Sequence, residues 1–262
     1  MKIHPTALVD PAARLGEEVE IGPYACVGSE VEIGARTIVQ AHAVLEGAVR
    51  LGTDNRIGTG AVIGGWPQDL SFKAGTQSAV VIGNGNTIRE HVTIHRGTAA
   101  GSVTRMGDHN FLMAGAHLGH NCAIGNKVII ANNGLLGGYV TIEDGAFLGG
   151  GCVFHQFVRV GRLAITQGTS GFGKDVPPYV AAAGVNKVVG LNVVGLRRAA
   201  FSAEDRAEIK AAFRLLYESG LNVSQALAQA QERNWREPAQ AFFDFVAAAR
   251  KRGICGLRRT RD

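Results

Sequence analysis

The chain has little of what marks a secreted scaffold, a membrane protein or a nucleic-acid binder. Only four cysteines occur in 262 residues, Cys26, Cys122, Cys152 and Cys255, far apart and without CxxC or metal-ligand spacing. Disulfide scaffolds crowd cysteines into short chains, so reduced thiols in a cytoplasmic protein are expected. No run of ~18 apolar residues is present, so no transmembrane helix is expected. The opening MKIHPTALVD enters a repeat almost at once, and no signal peptide is expected. Acidic residues are outnumbered, giving a net charge of +5. The excess lies late, at Arg197, Arg198, Arg250, Lys251, Arg252, Arg258, Arg259 and Arg261. A basic end suits nucleic acid, anionic lipid or an acidic protein. With no aromatic residues interleaved there and no nucleic-acid motif, DNA and RNA have no support.

What is abundant is a period of six. Large apolar anchors run from Ile3 through Val9, Leu15, Ile21 and onward to Ile63, then from Ile82 to Ile94 and from Met106 to Val160. Six fits neither a helix at 3.6 nor a plain strand at 2, so it signals a structural repeat. Small or β-branched residues sit two before each anchor, which makes positions i−2 and i the inward pair of a short strand. Gly often follows the anchor, as at Gly22, Gly34 and Gly58, and is expected to provide turn conformations other residues resist. Three strands per 18-residue coil, stacked, make a parallel β-helix. Cys122 and Cys152 fall at i−2 and read as core rather than as nucleophiles.

Two interruptions, GGWPQDLSFKAGTQSAV after Ile63 and HRGTAAGSVTR after Ile94, project from the solenoid and are candidates to carry function, with Ala100 keeping the phase of the second. The repeat ends between Phe172 and Val189, where KDVPPYV cannot continue it. The remainder reads as helical: Ser202 caps one helix, with further helices around residues 227–231 and 242–246 and Pro238 in a first turn. The boundaries expected are residues 1–190 for the β-helix and 191–262 for a small α-helical domain.

His117 and His120 are the first chemical candidates, because an imidazole suits a general base at neutral pH. Residues 18 apart stack, which places His120 under Gly138, with Gln156 one coil further, and Gly119 under Gly137 under His155. A column of Asn132, Gly150 and Gly168 completes a set of small residues expected to form a slot for an extended chain beside His120.

The segments PQDL, TIREHVTIHRGT, AHLGHNCAIGN, ANNGLLGGYV, FHQF, DVPPYV and GLNVVGLRR together resemble the UDP-N-acetylglucosamine O-acyltransferases of lipid A synthesis, within the hexapeptide-repeat acyltransferases. The resemblance implies a left-handed solenoid, whereas the general crossover rule favours right-handed turns. It implies transfer of a (R)-3-hydroxyacyl group from acyl carrier protein to the sugar 3-hydroxyl, with no cofactor, in a cytoplasmic homotrimer whose sites lie between subunits. In that frame His120 is the general base and the Gly138 N–H stabilises the oxyanion. His117, Gln68, Asp69, His155, Gln156, Asn192 and Arg198 contact substrate, and Gly168 limits acyl length. The basic helices, through Arg198, Arg250 and Arg252, would dock the acidic carrier.

Several positions depart from that family's pattern. Asn121 stands for an Asp, Ser71 for a Lys, Tyr139 and Asn186 for His, Val194 for a Glu and Ala199 for an Arg. They cluster at sugar-nucleotide contacts, which leaves N- or O-acylation of another sugar nucleotide, such as a 3-amino sugar, as the alternative. Other readings are a zinc site like that of the β-helical carbonic anhydrases, using His95, His117 and His120, and a non-catalytic binding solenoid.

Overall fold

The computed structural model describes residues 1–249 and 252–258. From Lys2 to Phe172 the chain winds as a parallel β-helix with three flat faces. The first face begins with Lys2–Ile3, the second with Leu8–Val9 and the third with Arg14–Leu15. Regular coils place partners 18 residues apart, as Lys2 pairs with Glu20 and Leu8 with Cys26.

The inward pair expected from the pattern is what fills the centre. Val19 and Ile21, Ala25 and Val27, Val31 and Ile33 are buried, and so on upward through Val158 and Val160. Each buried Ile, Leu or Val contributes about 1.5–3 kcal/mol relative to exposure. Ile3 remains 42% exposed because no coil lies beneath it. Cys122 and Cys152 are buried in this core as free thiols. Burial pushes the Cys122 thiol up to about 12, so it is not a thiolate at neutral pH.

The turns correct one expectation. Gly22, Gly34 and Gly58 do not supply positive φ; the left-handed residue is the third after the anchor, as at Tyr24 (φ 56°), His42 (59°), Asn121 (61°) and Tyr139 (60°). Its N–H donates to the adjacent coil, for instance Tyr139 N–H to His120 O at 2.9 Å, which holds the strained residue in place. Gly after the anchor is needed for close approach instead. A Cβ on Gly58 would lie 2.6 Å from the Arg89 carbonyl carbon of the next coil.

An unexpected polar ladder runs through the core at the i−2 position of the first face. Asn55 Oδ1 accepts from Asn86 N and Nδ2, and Asn86 Oδ1 accepts from Asn110 N and Nδ2. Asn110 Oδ1 then accepts from Val128 N at 2.8 Å. All three amides are buried and paired, which is the condition under which such groups cost little.

Both interruptions leave the solenoid at the same place. Ala79 pairs with Ala48, 31 residues back, and with Val103, 24 residues on. The excess chain is two loops, residues 66–78 and 96–102, each between a second-face strand and a third-face strand. Ala100 keeps no phase: it is exposed in a turn, because the second loop is extruded and Thr104 and Met106 resume the inward pair.

Beyond the coils, Val180–Ala183 and Lys187–Leu191 pair antiparallel on the first-face sheet. Four helices follow: α1 (Val193–Arg198), α2 (Ala203–Tyr217), α3 (Val223–Ala230) and α4 (Glu237–Ala247). Ser202 caps α2 by accepting from Asp205 N, and Pro238 sits in the first turn of α4. The capping box of Asn222 and Gln225 starts α3 earlier than its apolar residues suggest. The chain then returns, as Gly256–Leu257 pairs with Lys187–Leu191. Arg159 ties the coils to α4: it pairs with Asp175 at 2.7 Å, donates to Phe245 O and lies 4.2 Å from the Phe245 ring centroid.

The amide ladder makes a direct prediction. Asn86→Leu strips Asn110 of its acceptor inside the core and should destabilise the protein by about 1–3 kcal/mol. Denaturant unfolding measures this, and an unchanged midpoint would show the ladder to be energetically inert.

Candidate active site

The edge between the second and third faces gathers most of the chemistry-bearing side chains. The strand His117–Leu118 feeds the turn that carries His120, and both long loops leave from the same edge. His120 is buried, and its ring lies against Gly138 of the next coil so closely that any side chain at 138 would collide with it. Among the described residues, the Gly138 N–H has no acceptor within the protein, while its carbonyl accepts from Phe157 N. Gln156 follows one coil higher, exposed, beside His155.

Asn121 Oδ1 lies 3.0 Å from His120 Nδ1. The same oxygen accepts from Thr98 N and Oγ1, both at 3.1 Å, and Thr98 Oγ1 is 3.3 Å from the Tyr139 hydroxyl. The second loop therefore reaches back to the turn that carries His120. Asn121 N donates to Thr104 Oγ1, whose hydroxyl donates to His95 O. Thr98 and Thr104 went unnoticed in the sequence. Their signal was the phase of the repeat, which sets the second loop on the edge of His120.

His117 points outward from the second face, with Nδ1 2.7 Å from Thr93 Oγ1 and its ring edge-on to His95 at 4.8 Å. Burial, reinforced by His117 and His120, pushes His95 down to about 4. His117 is lowered as well, first by burial and then by His120. On the first loop Gln68 is exposed and Asp69 half-buried. Ser71 donates to Asp69 through its hydroxyl (2.7 Å) and its N–H (2.9 Å), and these bonds hold the Asp69 carboxyl below its ordinary range. The positive field of His120 acts in the same direction. Ser71 thus engages the carboxylate directly.

Other expected residues lie elsewhere in one chain. Asn192 caps α1 through Gly195 N and donates to Leu163 O, on the edge between the third and first faces. Arg198 is exposed in the last turn of α1. Asn186 accepts from Gly173 N and Lys174 N, a structural role. Arg252 donates to His155 Nδ1 at 2.6 Å, and Arg250 lies outside the described residues.

The acyl-slot argument needs correction. Gly150 and Gly168 do stack, but on the edge between the first and second faces, since Gly168 follows Ile165–Thr166 and precedes Gly171–Phe172. The 48-residue separation from His120 is two coils and two-thirds of a third, and that fraction carries Gly168 to another edge. One chain alone cannot run a slot straight from His120 to Gly168.

Comparison with known proteins places this edge in context. Residues 12–47 and 104–138 match the bacterial transferase hexapeptide repeat, and residues 175–255 match the second domain of UDP-N-acetylglucosamine O-acyltransferase. The acyl-[acyl-carrier-protein]–UDP-N-acetylglucosamine O-acyltransferase of Halorhodospira halophila is 47% identical over 94% of this chain and 96% of its own. That of Paraburkholderia xenovorans is 48% identical over 97% and 98%. The chain belongs to the UDP-N-acetylglucosamine O-acyltransferase family.

Solved structures agree. The UDP-N-acetylglucosamine acyltransferase from Campylobacter jejuni superposes with a TM-score of 0.92 at 36% identity, covering 98% of this chain and all of that one. The enzyme from Francisella novicida gives 0.92 at 37% identity, covering 99% and 95%. With that membership the β-helix is left-handed, as the resemblance implied and against the general crossover rule. The zinc reading gains no support: among the described residues, no three His, Cys, Asp or Glu side chains are grouped to hold a metal ion.

The depressed His95 carries a pH consequence. Its folded pKa lies below the unfolded value, so the unfolded chain binds the proton first and stability is lost as pH falls from about 6.5 towards 4. His95→Gln should flatten part of that loss in thermal unfolding followed from pH 7 to 4. An unchanged slope would mean that His95 titrates normally.

Proposed function

We propose that this chain transfers a (R)-3-hydroxyacyl group from acyl carrier protein to the 3-hydroxyl of UDP-N-acetylglucosamine, the first step of lipid A biosynthesis. The observation that carries the reading is His120 lying against a Gly138 N–H that has no acceptor among the described residues, in a member of this family. His120 Nε2 takes the sugar hydroxyl proton as that oxygen attacks the thioester carbonyl. The Gly138 N–H donates to the oxyanion that forms. Collapse expels the carrier thiolate, which takes the proton from His120, so no covalent enzyme intermediate and no cofactor enters these steps. Acylation of a different acceptor is not favoured, because relatives at 47–48% identity bear the O-acyltransferase name.

Gln68 and Asp69 are proposed to bind the sugar, His117 to position substrate, His155, Gln156 and Asn192 to contact substrate, and Arg198 to meet a nucleotide or carrier phosphate. Asn192 and Arg198 do not share an edge with His120, and neither does Gly168. For all of them to meet one substrate, neighbouring copies must contribute, which supports a homotrimer with its sites between subunits. The outward column on the second face, with Leu8 (69% exposed), Leu135 (43%) and Val153 (48%), gives such copies an apolar surface to cover. Residues 1–190 then form the acyl-transfer unit, and the helical unit 191–262 meets the acidic carrier through Arg198 and Arg252. No helix among the described residues is long and apolar enough to cross a membrane, and the reaction is proposed to take place in the cytoplasm.

His120→Ala should lower acyl transfer about 10²–10⁴-fold while circular dichroism stays that of the folded chain. Near-wild-type turnover would end the assignment of His120 as base.

Gly168→Met should shift donor preference towards shorter 3-hydroxyacyl chains. A Cβ at 168 already comes within 3.1 Å of Gly150 O, so thermal unfolding must accompany the assay. Competition between long and short donors reads the effect, and identical preference in both proteins would remove Gly168 from the acyl path.

A further inference from the structure

We infer that Thr98 and Tyr139 act with Asn121 as positioning residues that set the tautomer of His120 through an uncharged hydrogen-bonded chain. The inference rests on the reading of His120 as the base. It begins with atom identity. The Thr98 backbone N–H can only donate, so the Asn121 side-chain atom it meets at 3.1 Å is the oxygen. That oxygen only accepts, so His120 Nδ1, 3.0 Å away, carries its proton and Nε2 keeps the lone pair. Thr98 Oγ1 spends its hydrogen on the same oxygen, so the Tyr139 hydroxyl donates to Thr98. The chain of donors runs Tyr139 to Thr98 to Asn121, and His120 donates to its far end.

Each member is fixed from outside the chain. Asn121 occupies a left-handed conformation that Asn tolerates, and its N–H is held by Thr104. The Tyr139 ring meets the His120 ring edge-on at 5.3 Å and stacks on Phe157 at 4.8 Å. Thr98 belongs to the second loop, so that loop's excess chain delivers one hydroxyl and one N–H to the support of His120. Asn121 orients the imidazole and gives no charge to the imidazolium. Among the described residues, the other titratable groups facing His120 are His95 and His117 on their strands, Asp69 on the first loop and Tyr139 on the next coil.

The test is steady-state kinetics on Tyr139→Phe, Thr98→Val, Thr98→Ser and Asn121→Asp beside His120→Ala, with thermal unfolding of each. Tyr139→Phe and Thr98→Val should lower kcat about three- to tenfold, the worth of one lost neutral hydrogen bond, with KM for both substrates unchanged. Thr98→Ser keeps the hydroxyl and should restore kcat. Asn121→Asp puts a carboxylate on Nδ1, which favours the imidazolium, and should move the acid limb of kcat/KM up by about one pH unit. Nitrogen NMR of His120 should show the Nδ1–H tautomer, and Thr98→Val, whose backbone N–H still meets the Asn121 oxygen, should keep it. Full kcat in both Tyr139→Phe and Thr98→Val, with His120→Ala inactive, overturns the chain and leaves the base standing. An unmoved acid limb in Asn121→Asp likewise overturns it. Activity in His120→Ala overturns the base reading itself.

Discussion

The molecule depends on one constraint, the hydrogen-bonded stacking of coils in a common register. Backbone N–H and C=O groups pair upward and downward through strands and through turns alike, so even the left-handed residue after each strand is held by the coil beside it. A single coil buries nothing by itself, and the anchors leave water only between neighbours. Register therefore converts sequence spacing into position: 18 residues is one step of about 4.8 Å along an edge, and any fraction of 18 is a rotation to another edge. The column of His120, Gly138 and Gln156 and the displacement of Gly168 follow from that rule equally.

The same rule explains where insertions can go. A loop can be extruded between two strands provided that both ends re-enter the ladder, and the entropic cost of lengthening it grows slowly. The two insertions differ in size, yet the strands after them pair in line, Ala79 with Ala48 below and Val103 above. Both leave from one edge, so what they carry converges on one turn. The first loop brings Gln68 and Asp69. The second brings Thr98 to Asn121.

Repetition made the fold legible. The six-residue period assigned the inward pairs, the three faces and the stacking of Gly138 on His120, because each rests on many copies of one signal. What escaped was local chemistry that borrows the period without announcing it. Asn55, Asn86 and Asn110 occupy positions where the pattern shows small or β-branched residues, and they fit only because each satisfies the next. Gly after the anchor suggests a turn residue in sequence, yet its cause at Gly58 is backbone crowding between coils, visible only in three dimensions. Gly168 stacks with Gly150 as the spacing implies, but the part-coil offset from His120 turns that column onto another edge, which a list of small residues does not display. The helix starts at Asn192 and Asn222 depended on side-chain caps, which a search for apolar periodicity does not register.

Three imidazoles near one edge pose an electrostatic problem that the fold resolves by burial. A proton on His95 or His117 would repel a second one on His120. Burial holds His95 at about 4 and lowers His117, so at neutral pH neither competes for the proton that His120 must accept. The carboxylate whose field couples to His120 is Asp69, itself held ionised by Ser71. With a neutral Asn121 on Nδ1, orientation and charge come to His120 from different loops, Thr98 from the second and Asp69 from the first. Orientation is built into the chain, whereas the charge sits on a loop that the sugar is proposed to occupy. Binding of the acceptor would then alter the field at His120 at the moment its basicity is required.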